Sequence, residues 1–179
     1  MKVTLKSITP NAETNIVEIA RVSSTRIDKS EKPEGLINYL IKNKHWSPFQ
    51  HSYLTFEITT SKAIGIQLLR HLSFTFQEFS QRYAKVENVE PIEFRLQAEK
   101  NRQSSTDVVG FIELTDNGFK FDLDSAFKNT QIADWLDRVC ENLDNTMRLY
   151  QEGLELGVAK ECARMILPMA TSTTIYMSG

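Results

Sequence analysis

HSYLTFEITT, His51 to Thr60, runs directly into SKAIGIQLL, Ser61 to Leu69, and the change of period between them decides the fold class. In the first stretch Tyr53, Thr55 and Glu57 alternate with Leu54, Phe56 and Ile58. That is the two-residue period of a strand, and the aromatic and β-branched side chains suit a pleated surface. Beyond it Ile64, Leu68, Leu69 and Leu72 recur at helical spacing behind Ser61, whose side-chain oxygen is suited to cap a helix start. This helix is expected to carry Arg70 and His71 near its end. A strand followed at once by a helix predicts an α+β chain.

Upstream, KVTLKSIT at Lys2 to Thr9 alternates as a strand, with Pro10 and Asn11 as its stop. NIVEIARVSS permits a short helix, and Leu36, Ile37, Leu40 and Ile41 predict another over Pro33 to Lys42. Trp46, Ser47, Pro48 and Phe49 form a stiff connection, because proline restricts its own backbone and that of the residue before it.

Downstream, Glu87 to Ser105 is polar, with Pro91 and the QAEKNRQSST run, and predicts an irregular surface excursion. Phe111 to Phe127 holds an Asp116-Asn117-Gly118 turn between apolar alternations, the pattern of a hairpin. Ile132, Leu136, Val139, Leu143, Met147, Tyr150 and Leu154 recur every three or four residues and predict a long helix over Gln131 to Leu156, stopped by Gly157. KECARMIL forms a second helical run ending near Pro168, with Glu161 and Arg164 on one face. Neither repeats nor a low-complexity linker divide the 179 residues, so one α+β domain spanning 1–179 is expected.

With 41% hydrophobic and 25% charged residues, the composition is that of a folded globular chain rather than a disordered one. A formal net charge of -2, and an acidic Phe111 to Asn145 segment with eight acidic against three basic residues, disfavour a polyanion partner. No nucleic-acid partner is expected. A few donors placed together still suffice for a nucleotide phosphate. Cys140 and Cys162 lie at helical spacing, which favours a reducing compartment over a disulfide scaffold. The first residues lack an export signal and no apolar run approaches the roughly 20 residues of a membrane span, so a cytoplasmic, membrane-free protein is expected. Three histidines and two cysteines without close spacing argue against a metal site.

Chemistry concentrates in RHLSFTFQEFSQRY, Arg70 to Tyr83, which packs cations, hydrogen-bond donors, a carboxylate and aromatic rings into one short segment. Arg82 offers a planar donor fork to phosphate, and Ser80 with neighbouring backbone N–H groups suits further oxygens. Phe74, Phe76, Phe79 and Tyr83 offer apolar walls for a planar ring. On residue type alone, the same groups equally fill a core and close loops.

The segment resembles the signature of flavin-dependent thymidylate synthases, an Arg-His-Arg start followed by spaced Ser, Asn/Gln-Glu, Ser and Arg-Tyr positions. Arg70, His71, Gln77, Glu78, Ser80, Arg82 and Tyr83 match it, Thr75 takes an earlier hydroxyl position, and Leu72 stands where the signature has Arg. HWSPFQH, His45 to His51, resembles the family's HxxPFEH block with Gln50 in place of Glu, and KECARMILP, Lys160 to Pro168, supplies a third block containing Glu161 and Arg164. The three blocks fall in the family's order and the resemblance extends over essentially the whole chain.

The resemblance implies a fold of mixed helices and antiparallel sheet, and a reaction joining dUMP, methylenetetrahydrofolate and reduced FAD to give dTMP. NADPH would reduce the flavin, and no cysteine nucleophile is needed. It further implies FAD contacts from His45, Arg70, His71, Gln77 and Glu78, and substrate contacts from Gln67, Arg70, Glu78, Ser80, Arg82 and Arg164, with Arg70 as the main electrostatic organiser. Glu161 is a polar-network candidate. A homotetramer with sites shared between subunits is expected. Family members continue beyond the position of TTIYMSG, so the chain is expected to be C-terminally incomplete. An autonomous synthase is therefore weighed against a catalytically impaired FAD- and nucleotide-binding fragment, and against a structural partner of a split synthase completed by a complementary C-terminal chain.

Overall fold

The computed structural model describes residues 1–23, 33–101, 103–124 and 129–179. In chain order the elements are β1 (Lys2–Ile8), α1 (Ala12–Ala20), α2 (Pro33–Lys42), β2 (Leu54–Ser61), α3 (Lys62–Leu68), β3 (Thr75–Glu78), β4 (Ile92–Gln97), β5 (Ser105–Thr115), β6 (Gly118–Leu123), α4 (Thr130–Glu155), α5 (Lys160–Ala163) and β7 (Ser172–Ser178). Short 3-10 helices follow α1 and α5 and precede β2. The fold is α+β, with one sheet ordered β1-β2-β7-β3 and an antiparallel sheet ordered β4-β5-β6.

The chain divides into two compact units, and the division falls within β2, β3 and β7. The larger comprises Met1, Thr59–Arg70 and Glu78–Thr174; the smaller comprises Lys2–Ile58, His71–Gln77 and Ile175–Gly179.

In the larger unit α4 lies on the β4-β5-β6 sheet. Leu136 and Ile112 are wholly enclosed among Val89, Phe119, Cys140 and Leu143. Burying an aliphatic side chain of this size stabilises by about 1.5–3 kcal/mol. The Ile132 to Met147 part of the stripe that predicts α4 thus faces the sheet. Asn129 Oδ1 caps the helix by accepting from the N–H groups of Gln131 and Ile132 at 3.0 and 3.3 Å. Gly157, at φ 86°, takes the left-handed conformation that ends it.

The hairpin is present as β5 and β6, joined through Asp116 and Asn117, with Thr115 opposite Gly118. Gly118 has φ 100°, and Asp144 of α4 accepts from the Phe119 N–H at 3.0 Å, fastening the turn to the helix. Residues 125–127, at the end of the expected hairpin segment, lie outside the described residues. A smaller cluster joins Val86, Tyr150 and Ala163, where the buried Tyr150 hydroxyl accepts from the Val86 N–H at 3.2 Å.

In the smaller unit Ile16 and Val17 of α1 and Leu40 of α2 are buried. Asn11, at φ 51°, starts α1 three residues before the NIVEIA pattern. A polar row crosses the strands: Thr55 bonds Ser178 at 2.9 Å, the Tyr176 hydroxyl donates to Glu57, and Lys6 lies 3.4 Å from the same carboxylate. The Tyr176 hydrogen bond, reinforced by Lys6, holds the Glu57 carboxyl below its usual value, and the same bond raises the Tyr176 phenol.

Three expectations are corrected. The polar stretch from Glu87 to Ser105 contains β4, whose Ile92, Phe94 and Leu96 are partly buried while Glu93, Arg95 and Gln97 face outward. The helix behind Ser61 ends at Leu68, so Arg70 and His71 lie beyond it rather than within its last turn. Leu72, expected on the packed stripe, is 94% exposed.

Candidate active site

The candidate residues are distributed over both units. In the larger, α3 begins at the cap made by Ser61, whose hydroxyl accepts from the Ile64 N–H at 3.4 Å, and it presents Gln67 on its last turn. A tightened turn follows, with the Arg70 N–H donating to the Gln67 carbonyl at 3.3 Å, and both side chains are exposed.

Glu78 ends β3. Its Oε1 accepts from Lys62 Nζ at 2.7 Å and from Thr173 Oγ1 at 3.0 Å. Beyond it the chain turns on Ser80, whose carbonyl accepts from the N–H groups of Tyr83 and Ala84 at 3.1 Å, while its hydroxyl accepts from the Arg82 N–H at 3.4 Å. That turn projects Arg82 outward over the Tyr83 ring, 5.8 Å from the ring centre.

Arg82 Nε lies 3.3 Å from Glu161 Oε2, and Arg164 Nε donates to the Glu161 backbone carbonyl at 3.3 Å. Glu161 therefore gathers two guanidinium groups that stand 82 positions apart in sequence. The Arg82 and Glu161 side chains are about half exposed, so their pairing contributes little, roughly 0–1 kcal/mol, and is readily exchanged. The spacing-based expectation that Glu161 and Arg164 share a face is met through the carbonyl of Glu161 rather than its carboxylate.

Behind the Ser80 turn, Gln81 is 8% exposed and donates from Nε2 to Thr171 Oγ1 at 3.5 Å, and Thr171 Oγ1 donates to the Pro168 carbonyl at 2.9 Å. An open hollow of about 200 Å³ is lined by Phe79, by Lys85 to Asn88 and by Ser172 to Thr174. On its border the Ser172 hydroxyl donates to Glu90 at 2.7 Å.

The smaller unit holds the other candidates. His45 sits edge-on to the Tyr39 ring, 6.0 Å between centres, on a turn closed by its own N–H to the Leu40 carbonyl at 2.9 Å. His71 and Gln77 are exposed, the latter on β3.

Sequence reasoning missed Lys62, Thr173 and Gln81. A cation immediately behind a helix cap was the available signal for Lys62; nothing in the composition of the Thr-rich strand marked Thr173.

The donor set suits FAD and a nucleotide, because guanidinium, hydroxyl, amide and imidazole groups match diphosphate, ribose and pyrimidine oxygens. The hollow falls below the roughly 300–1,000 Å³ of small-molecule pockets, and Arg70, His71 and Arg82, which do not line it, stand exposed. Cys140 is buried in the α4 core, where burial first and then Asp137 and Asp144 push its thiol up, which keeps it unreactive. Among the described residues no three His, Cys, Asp or Glu side chains gather to hold a metal ion, and no helix is long and apolar enough to cross a membrane.

The family model described as thymidylate synthase complementing protein matches residues 4–179. A probable flavin-dependent thymidylate synthase of Paramecium bursaria Chlorella virus 1 is 44% identical over 171 residues, 94% of this chain and 70% of that one. The flavin-dependent thymidylate synthase of Synechocystis is 42% identical over 164 residues, 92% of this chain and 67% of the relative. That of Thermosipho africanus is 32% identical over 161 residues, 89% and 64% of the two chains. The chain thus spans about two thirds of the length of these relatives. Among solved structures, a UMP/dUMP methylase from Streptomyces cacaoi bound with 5-Br dUMP superposes with a TM-score of 0.68 at 24% identity, covering 99% of this chain and 71% of that one. At that identity the likeness establishes the fold.

Proposed function

Because the chain belongs to the flavin-dependent thymidylate synthase family, we propose that it converts dUMP to dTMP with methylenetetrahydrofolate as one-carbon donor and NADPH as reductant. The observation that supports this reading best is the meeting of Arg82 and Arg164, from two separate sequence blocks, on Glu161. Two guanidinium groups anchored on one residue offer a receptor for a phosphate dianion.

In this reading Arg82, Arg164 and the Ser80 hydroxyl hold the dUMP phosphate. Gln67 and Arg70 bind the pyrimidine, with the Arg70 cation stabilising charge that develops on the ring. Glu78 lies at the junction of nucleotide and flavin, while His45, Arg70, His71 and Gln77 bind FAD. Reduced FAD, when bound, supplies the hydride. The exposure of these groups supports a homotetramer whose neighbouring subunits complete the walls. On this reading the enzyme is cytoplasmic, without a nucleic-acid or membrane partner.

The test is to incubate the purified 179-residue protein with FAD, NADPH, dUMP and methylenetetrahydrofolate, measuring dTMP and assembly mass together. dTMP formation is expected. Correct assembly and bound FAD without product sinks the autonomous synthase. Binding without turnover identifies a nucleotide- and flavin-binding module, and activity restored only by a complementary C-terminal chain identifies a split enzyme. Arg82→Ala should weaken dUMP binding about 10- to 100-fold, the worth of a charge-assisted contact, while changing FAD affinity less.

A further inference from the structure

Lys62 is the first residue of α3, directly behind the Ser61 cap. The amino end of a helix carries partial positive charge, so a cation there is unfavourable unless something opposes it. Here the opposing group is Glu78, 2.7 Å away, and the pair is sheltered: the side chains are 26% and 19% exposed. Thr173, itself 1% exposed, donates to the same oxygen of Glu78 at 3.0 Å. Among the described residues no donor is placed on the other carboxylate oxygen, Oε2.

The backbone around this contact is fixed as well. The Lys62 N–H donates to the Thr171 carbonyl and the Phe79 N–H to the Thr174 carbonyl, both at 2.8 Å. Lys62 and Glu78 are thus anchored to one short stretch of chain, and their ion pair closes the excursion that leaves the larger unit after Arg70 and returns at Glu78. A single side chain joins the helix bearing Gln67, with Arg70 on the turn just beyond its end, to the carboxylate.

We propose that Lys62, assisted by Thr173, is a positioning residue of the candidate site, holding Glu78 by Oε1 so that Oε2 is presented to the bound ligands in fixed relation to α3. The inference rests on the functional reading given above for Glu78 and goes beyond it by assigning the group that sets the geometry of that carboxylate. A displaced reacting or orienting group costs catalysis far more than it costs stability, because alignment is lost while packing is retained.

The test compares Lys62→Met, Lys62→Arg, Thr173→Val, Glu78→Gln and the Lys62→Met/Glu78→Gln double variant. Their kcat/KM, dUMP and FAD dissociation constants and melting temperatures are measured, together with ligand-free crystal structures. Lys62→Met should lower kcat/KM about 10- to 100-fold, chiefly in kcat, with Lys62→Arg restoring most of it. The double variant should be no worse than Glu78→Gln alone, since Lys62 acts through Glu78. In the ligand-free Lys62→Met crystal the Glu78 carboxylate should leave Thr173.

Turnover within twofold of the parent, or losses that multiply in the double variant, overturns the inference. Should the parent protein bind neither FAD nor dUMP, the functional reading fails, and the crystals still decide the positioning: a Glu78 that stays bonded to Thr173 without Lys62 refutes it. If Lys62→Met does not fold, Thr173→Val provides the same comparison from the other donor.

Discussion

Gly110 and Gly153 offer one substitution with opposite signs. A Cβ placed on Gly110, in the middle strand of the β4-β5-β6 sheet, meets the Asp122 carbonyl oxygen at 2.8 Å and Leu136 Cδ1 at 3.1 Å. The oxygen belongs to the paired backbone of β6, and Leu136 is fully buried, so neither yields without disturbing the ladder or the core. Overpacking of this kind costs about 1–3 kcal/mol. Loss of glycine's unfolded-state freedom returns about 0.4–1 kcal/mol. Gly110→Ala should therefore destabilise by about 1–2 kcal/mol, lowering Tm by roughly 2–8 °C. Gly153, within α4, has nothing within 4 Å of the same added carbon. Gly153→Ala should stabilise by about 0.5–1 kcal/mol from helix propensity. Urea unfolding monitored by circular dichroism, with the slopes compared between variants, measures both. A Gly110→Ala protein as stable as its parent would refute the close-packing argument, and a destabilised Gly153→Ala protein would show that α4 is not open at that turn.

Further predictions concern single polar contacts. Tyr150→Phe strands the Val86 N–H in a buried cluster and should cost about 1–3 kcal/mol by denaturant unfolding. Asn129→Ala removes the α4 cap and should cost about 1 kcal/mol, whereas Asn129→Asp should retain most of it. Glu57 has its carboxyl lowered chiefly by Tyr176, so its contribution is present above the unfolded value and lost as pH falls through the folded one. Tyr176 is raised by the same bond, so its contribution is present below the usual phenol value and lost as pH rises through the higher folded one. Tyr176→Phe should flatten both limbs of a stability-versus-pH curve. An unchanged acid limb would show that this bond does not act on stability.

The long helix and α2 were legible because their apolar residues keep one period throughout, and the structure places α2 at the predicted Pro33–Lys42. The hairpin was legible from Asp116-Asn117-Gly118, a turn demanding one left-handed residue. β4 was hidden because its outward face is charged and its neighbours are more polar still, so composition outweighed the alternation of Ile92, Phe94 and Leu96. β7 was hidden for a different reason: Thr173 and Ile175 are both buried, so inward positions there are not distinguished by hydrophobicity. The end of α3 carries no breaker in Leu69-Arg70-His71-Leu72, and helical lettering persists past the point where the backbone tightens. The motif residues of the candidate site could be named from sequence, but their partners could not. Glu161 on Arg82 and Lys62 on Glu78 are long-range pairings, which no local spacing encodes.

A guanidinium already holding a carboxylate is a different receptor from an empty one. On the proposed reading dUMP does not simply arrive at Arg82; it evicts Glu161, and its measured affinity is an exchange constant between two anions. Because the exposed pair is worth only about 0–1 kcal/mol, the resident acid lowers that affinity by about fivefold at most, and a phosphate dianion displaces it readily. Glu161→Gln should accordingly tighten phosphate binding modestly, by up to about fivefold.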